Sequence, residues 1–150
     1  MNQNIKNYTS IISADKSISK IERLLVEFGA TNINKSYNFE TKKLDNISFL
    51  INIDGISNTV AFKIPARVDR VFDVLWKKVR MPKPTTKSNI LEQAERTAWK
   101  IVCDWVEIQI SMIRLEQAEF IQVFLPYTYN METNKTLFET IKDGGYKQIK

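Results

Sequence analysis

The chain has no histidine, one cysteine, four glycines and four prolines in 150 residues. Each shortage removes a class of chemistry. Without histidine there is no Ser-His-Asp or Cys-His nucleophile, no imidazole metal ligand, and the commonest general base is missing. A single thiol, Cys103, cannot close an intramolecular disulfide or build a structural zinc site, and it suits a reducing compartment. Glycines at 29, 55, 144 and 145 leave neither a phosphate-binding P-loop nor a dinucleotide fingerprint. No apolar run approaches the ~20 residues that span a bilayer. The start, "MNQNIKNYTS", lacks the apolar core of a secretory signal. The expectation is a cytoplasmic protein (in the host cytoplasm, if viral) with no membrane partner, no cofactor and no metal. No catalytic residue is assigned. Lysine, tyrosine or carboxylate chemistry stays open, but a binding protein is favoured over an enzyme.

What is present fits one folded domain over residues 1–150: 43% of the residues are apolar and 26% charged. The net charge of +5 is not spread evenly. Residues 63–87 hold eight basic and two acidic side chains, net +6, whereas the rest of the chain holds 14 basic and 15 acidic ones. All the basic excess lies in one stretch, which favours a local anionic partner over a uniformly sticky surface.

In "DKSISKIERLLVEFGA" the residues Ile18, Ile21, Leu25 and Phe28 recur at helical spacing, with Asp15 or Ser17 as cap and Gly29 as stop. The preceding "YTSIIS" reads as a short edge strand. Three runs then alternate with a period of two. Ile33, Tyr37 and Phe39 form the inward face of the first. Ile47, Phe49, Ile51 and Ile53 form that of the second, and Val60, Phe62 and Ile64 that of the third. Asn34, Ser36, Asn38, Ser48, Asn52 and Lys63 fall on the opposite, wet face. The short connections "TKKLDN" and "DGISN" suit hairpins, and Asp54 before Gly55 is a turn residue. Pro65 starts a helix whose apolar stripe is Val68, Val71, Phe72, Leu75 and Val79. "RMPKPTTKSN" is a loop, with Ser88 or Asn89 capping the next helix.

That next helix contains "AERTAWKIVCDWVEIQIS" and is expected to occupy the centre of the fold over residues 89–120. Leu91, Ala94, Ala98, Ile101, Trp105, Ile108, Met112 and Leu115 alternate in steps of three and four, and Val102, Val106 and Ile113 widen the stripe. So wide an apolar arc requires cover on two sides, from the sheet and its neighbours or from a second copy in a homodimer. Trp105 lies well inside the arc and Trp99 nearer its edge. Lys100 and Asp104 can pair on the narrow polar strip. Glu95 and Gln109 interrupt the arc. They either meet a local backbone partner or line a pocket or an oligomer contact. Cys103 reads as a small packing residue. "EFIQVFLPYTYN" ends a helix at Pro126, and "KTLFETIKDGG" is a short helix that stops at Gly144.

The informative functional stretch is "LWKKVRMPKPTTK". Lys77, Lys78, Arg80, Lys83 and Lys87 lie within eleven residues with no acid among them, and Trp76 adjoins them. Cations beside an aromatic suit a polyanion with planar bases: charges meet phosphates and the ring stacks. Arg67, Arg70 and Lys63 extend this nucleic-acid or anion-binding set. The same residues also read as a solvated helix end, where positive charge complements the macrodipole. A rival function uses the same charges within a pocket. It is a counter-defence protein that captures an anionic nucleotide signal or blocks a host defence protein, with Glu95 or Gln109 reading a base.

The blocks Ala94-Glu95-Arg96 with Trp99, Asp104-Trp105-Val106-Glu107, and Phe124-Leu125-Pro126-Tyr127 carry a resemblance. By these, and by the upstream helix, meander and "KIPARV", most of the chain resembles a family of small uncharacterised bacteriophage and prophage proteins. The resemblance brings no activity with it. It implies a viral accessory protein acting in a bacterial cytoplasm. The fold class expected is α+β: an antiparallel sheet of three or four strands packed on one face by helices, with a long central helix.

Overall fold

The computed structural model describes residues 4–53 and 59–150, so the turn assigned to Asp54 and Gly55 and the whole "DGISN" connection lie outside the described residues. The fold is α+β, a three-stranded antiparallel sheet packed with helices around one 29-residue helix.

Helix α1 (Ala14–Phe28) buries Ile18, Ile21 and Leu25, as its spacing dictates. Its cap is Ser13, whose hydroxyl accepts from the Lys16 N–H, not Asp15 or Ser17; Ser17 sits inside the helix, buried. Gly29 closes it at φ 113°, a conformation open to glycine and strained for other residues. Strands β1 (Ala30–Tyr37), β2 (Leu44–Asn52) and β3 (Thr59–Pro65) pair in sequence order. Ile47, Phe49, Ile51, Phe62 and Ile64 are buried on one face, while Asn34, Ser48 and Lys63 line up in register on the other.

Strand β1 departs from the simple alternation. Its pairing with β2 shifts register between Thr31 and Asn34 and again at Tyr37. Of the face expected inside, Ile33 packs against the core, but the end turns outward: Tyr37 is exposed, and Phe39, in the turn beyond the strand, is 85% exposed with the Lys42 ammonium over its ring. The Asn38 side chain builds that turn by accepting from the Glu40 and Thr41 N–H groups. Pro65 does not start a helix. It is the last residue of the edge strand β3, opposite Asn46, where a missing N–H costs no ladder bond. Helix α2 (Val68–Trp76) begins three residues later and buries Val68, Val71 and Leu75.

Helix α3 (Thr86–Arg114) starts before Ser88 and Asn89, neither of which caps it, and stops well short of residue 120. Its entry is tied by the Thr86 hydroxyl, which accepts from the Lys83 N–H at 2.8 Å. In its first half α3 is covered on two sides, with Ala94, Thr97 and Ala98 buried on one and Trp99 on the other. Cys103, Val106 and Ile110 continue the Trp99 side through the second half. At 3.6 residues per turn the two sides lie roughly 150° apart. The expected roles of the tryptophans are reversed. Trp99 is 0% exposed and donates its indole N–H to the Leu44 carbonyl at 3.2 Å, while Trp105 is only half-buried. The end of the expected stripe emerges into solvent, with Ile108 53% and Leu115 70% exposed.

Trp105 instead meets the segment that follows. Helix α4 (Phe120–Phe124) and the 3-10 turn Leu125–Tyr127, which contains Pro126, place Phe124 and Tyr127 against it at ring separations of 5.5 and 5.4 Å. Phe120 and Phe124 also reach Phe62 of the sheet, at 5.2 and 6.4 Å. Such aromatic pairs contribute about 0.5–1.5 kcal/mol each beyond area burial. The short hairpin of β4 (Tyr129–Asn130) and β5 (Lys135–Thr136) leads into α5 (Leu137–Asp143), which a Thr136–Glu139 capping box opens and Gly144 ends.

"YTSIIS" forms no strand. Residues around it turn, with Ser10 N–H donating to the Asn7 carbonyl, and the segment straps onto α3. Gln93 donates to the Tyr8 and Ser10 carbonyls, Thr97 to the Asn7 carbonyl, and Asn7 to the Asp104 carboxylate at 2.9 Å. Asp104 also holds Lys100 at 2.7 Å, the pairing expected from their spacing.

Replacing Trp99 with Phe leaves the Leu44 carbonyl without its donor and should cost about 1–3 kcal/mol in denaturant unfolding, and Trp99→Ala about 3–5 kcal/mol. A Phe variant within experimental error of wild type would mean that the bond contributes nothing. A second outcome concerns Asp104. Burial alone would push its carboxyl up, but hydrogen bonds from Lys100 and Asn7 and the charge of Lys6 outweigh this and hold it below the ordinary carboxylate value. A depressed folded value means the stabilisation is present above the ordinary carboxylate range and is lost as pH falls through the lowered one. Protection of the amides at residues 7–10, taken relative to the intrinsic exchange rate at each pH, should therefore be insensitive to this group near neutrality and fall in acid, and Asp104→Asn should remove that acid step.

Candidate nucleic-acid interface

The last turn of α2, the connection and the first turn of α3 carry the basic cluster. Lys77 caps α2, its N–H donating to the Asp73 carbonyl, and Lys78 and Val79 N–H groups continue the turn onto Leu75 and Trp76. Lys77, Lys78, Arg80, Lys83 and Lys87 are all exposed. Among the described residues none of the five is in an ion pair. Lys78 instead lies over the ring of Tyr8, 5.5 Å from its centroid. The helix dipole accounts for cations at the end of α2. It does not account for Lys83 and Lys87, which stand at the positive end of α3, where the first turn has no acidic residue.

The remaining residues of the expected set are dispersed. Arg67 grips Asp69 through two hydrogen bonds, Nε to Oδ1 at 3.1 Å and Nη2 to Oδ2 at 3.0 Å. That contact holds the Asp69 carboxyl below its ordinary value and removes Arg67 from the free cations. Arg70 is exposed on α2. Trp76 is half-buried, and one face of its ring is covered by Phe72 at 5.6 Å. Lys63 lies on the outer face of the sheet with its ammonium 5.0 Å from the Tyr129 ring centroid. Glu95 and Gln109 are half-buried. Glu95 faces Lys43 of the β1–β2 hairpin at 3.7 Å, whereas Gln109 makes no side-chain hydrogen bond among the described residues.

One feature of the site has no counterpart in the sequence pattern: a cleft of about 510 Å³ beside the basic cluster. The β1–β2 hairpin forms one wall with Asn38, Thr41, Lys43, Leu44 and Asp45. The other wall comes from Arg67, Val68, Asp69, Phe72 and Asp73 at α2, and from Lys87 and Leu91 of α3. Its lining thus combines an apolar strip with charges of both signs, contributed by three separate elements. Among the described residues no group of carboxylates or thiols is arranged to hold a metal ion.

Cys103, the one thiol, is elsewhere. It is 1% exposed within α3, and burial pushes its thiol above the ordinary cysteine value. A thiol of that kind is poorly nucleophilic. An aromatic disulfide reagent should leave it unmodified in the native protein at neutral pH and react at once after denaturation. Rapid native-state labelling would show that α3 opens locally.

Among the described residues no helix is long and apolar enough to cross a membrane. No family model matches the chain, and no curated protein or solved structure matches it at a significant level.

Proposed function

We propose that the chain is a non-enzymatic accessory protein, of bacteriophage origin in line with its sequence resemblance, that binds nucleic acid through the connection between α2 and α3. The observation that carries this reading is the placement of Lys83 and Lys87. Cations that only decorate a surface gain from the negative end of a helix, yet these two sit at the positive end of a 29-residue helix with no acidic residue in its first turn. Together with Lys77, Lys78 and Arg80 they make a patch of like charge that a polyanion relieves. Phosphates meet these five side chains, and exposed Arg70 adds to the field from α2. Arg67, tied to Asp69, and Lys63, at Tyr129, have no part in it.

The test is binding of the purified protein to short labelled single- and double-stranded DNA and RNA at two salt concentrations. The triple variant Lys77→Ala/Lys83→Ala/Lys87→Ala should bind more weakly. Its log–log salt slope should also be shallower, by about 0.7–0.9 for each phosphate that is no longer neutralised. An unchanged affinity and slope in that variant would remove the assignment.

A further inference from the structure

The cleft between the β1–β2 hairpin and α2 is best characterised by which of its charges are already matched. Arg67 and Asp69 satisfy each other, and Lys43 faces Glu95 outside the cleft. That leaves three lining charges that are in no ion pair among the described residues: the carboxylates of Asp45 and Asp73, and the ammonium of Lys87. The same lining includes the apolar side chains of Phe72 and Leu91.

A ligand that fits must therefore bring hydrogen-bond donors to the carboxylates, an anionic group to Lys87 and a flat apolar body to the apolar side chains. A simple polyanion fails the first requirement, because Asp45 and Asp73 repel it. A cation fails the second. A nucleotide meets all three, and the volume of about 510 Å³ is ample for one. Among the bases, guanine presents two adjacent donors, N1–H and the N2 amino group, to the two oxygens of one carboxylate. Thymine and uracil offer one donor flanked by carbonyls, which a carboxylate repels. An ionised carboxylate only accepts, so the edge it selects is one rich in donors.

We infer that this cleft is a guanine-nucleotide site, with Asp45 and Asp73 reading the base edge and Lys87 holding the phosphate. Lys87 belongs to both the cleft and the basic connection, so a strand lying along the connection has the cleft beside it. This strand-borne form rests on the nucleic-acid reading above; a free guanine nucleotide satisfies the same chemistry without it. A base held this way must be unstacked and unpaired, which makes single-stranded nucleic acid the substrate form.

The experiment uses the full chain and two kinds of probe. Short oligothymidylates with and without one central guanine are compared by fluorescence anisotropy, and guanosine and thymidine 5′-monophosphates by calorimetry. The guanine probe should bind about tenfold tighter than its thymine counterpart in wild type. In Asp45→Asn/Asp73→Asn that ratio should fall below about twofold. Removing two negative charges strengthens non-specific binding of any oligonucleotide, so the ratio, not the absolute affinity, is read, with circular dichroism confirming that the variant is folded. A preference on the oligonucleotide assigns the site to a bound strand; a preference on the mononucleotide alone assigns it to a captured nucleotide. Binding of oligonucleotides without a guanine preference on either probe overturns the inference and leaves the nucleic-acid reading standing. A preference that survives the double substitution overturns the assignment to these carboxylates. No oligonucleotide binding at low salt overturns the nucleic-acid reading, and the mononucleotide ratio then decides the cleft by itself.

Discussion

The indole N–H of Trp99 and the carbonyl of Leu44 hold the two halves of the fold in register. Trp99 has no exposure, so its donor has no water to fall back on, and the acceptor it finds is the first residue of β2. The bond ties α3 to the start of β2. Lys43 and Asp45 flank that tie on either side of Leu44. Helix α2 also packs on α3, and the hairpin and α2 line one cleft together with Leu91 of α3. The site is therefore a by-product of how the core is tied together.

Much of the architecture is legible from period and composition. Strands β2 and β3 show their inward residues by strict alternation, and α1 shows its buried stripe, because each element is covered on one side only. Helix α3 defeats the same reading for a physical reason. The wide arc shows that α3 is covered on two sides but not where each cover ends: α1 and α2 both pack on it, and the side that buries Ala94 and Ala98 gives out where the side of Trp99, Cys103, Val106 and Ile110 continues. Which of two tryptophans is buried then depends on neighbours far apart in sequence. Tyr37 and Phe39 escape the alternation for a related reason, since a register shift in β1 carries no mark in its residue types.

For the site, the charge excess of residues 63–87 is plain in the sequence, and the five exposed cations of the connection belong to it. The pairing within that stretch is not. Arg67 and Asp69 are two residues apart, and along the chain both count as free; in the fold their side chains cancel. Asp45, Asp73 and Lys87 come from a strand and two helices, and only the tertiary fold brings them to one cleft. Glu95, expected to line a pocket or an oligomer contact, lines two shallow pockets beside α1 and there pairs with Lys43 of the hairpin.

The strap from Asn7 to Ser10 is conditional on α3. It contributes no rung to the sheet, and its anchors on the body are the side chains of Gln93, Thr97 and Asp104. Those three are four and seven residues apart and form one continuous edge only while residues 93–104 are wound into a helix. In an unwound chain there is nothing for the strap to recognise. Its attachment, and with it the enclosure of Thr97 and the seating of Tyr8 against Lys78, requires a formed α3, which makes residues 7–10 a latch that records whether the central helix is intact.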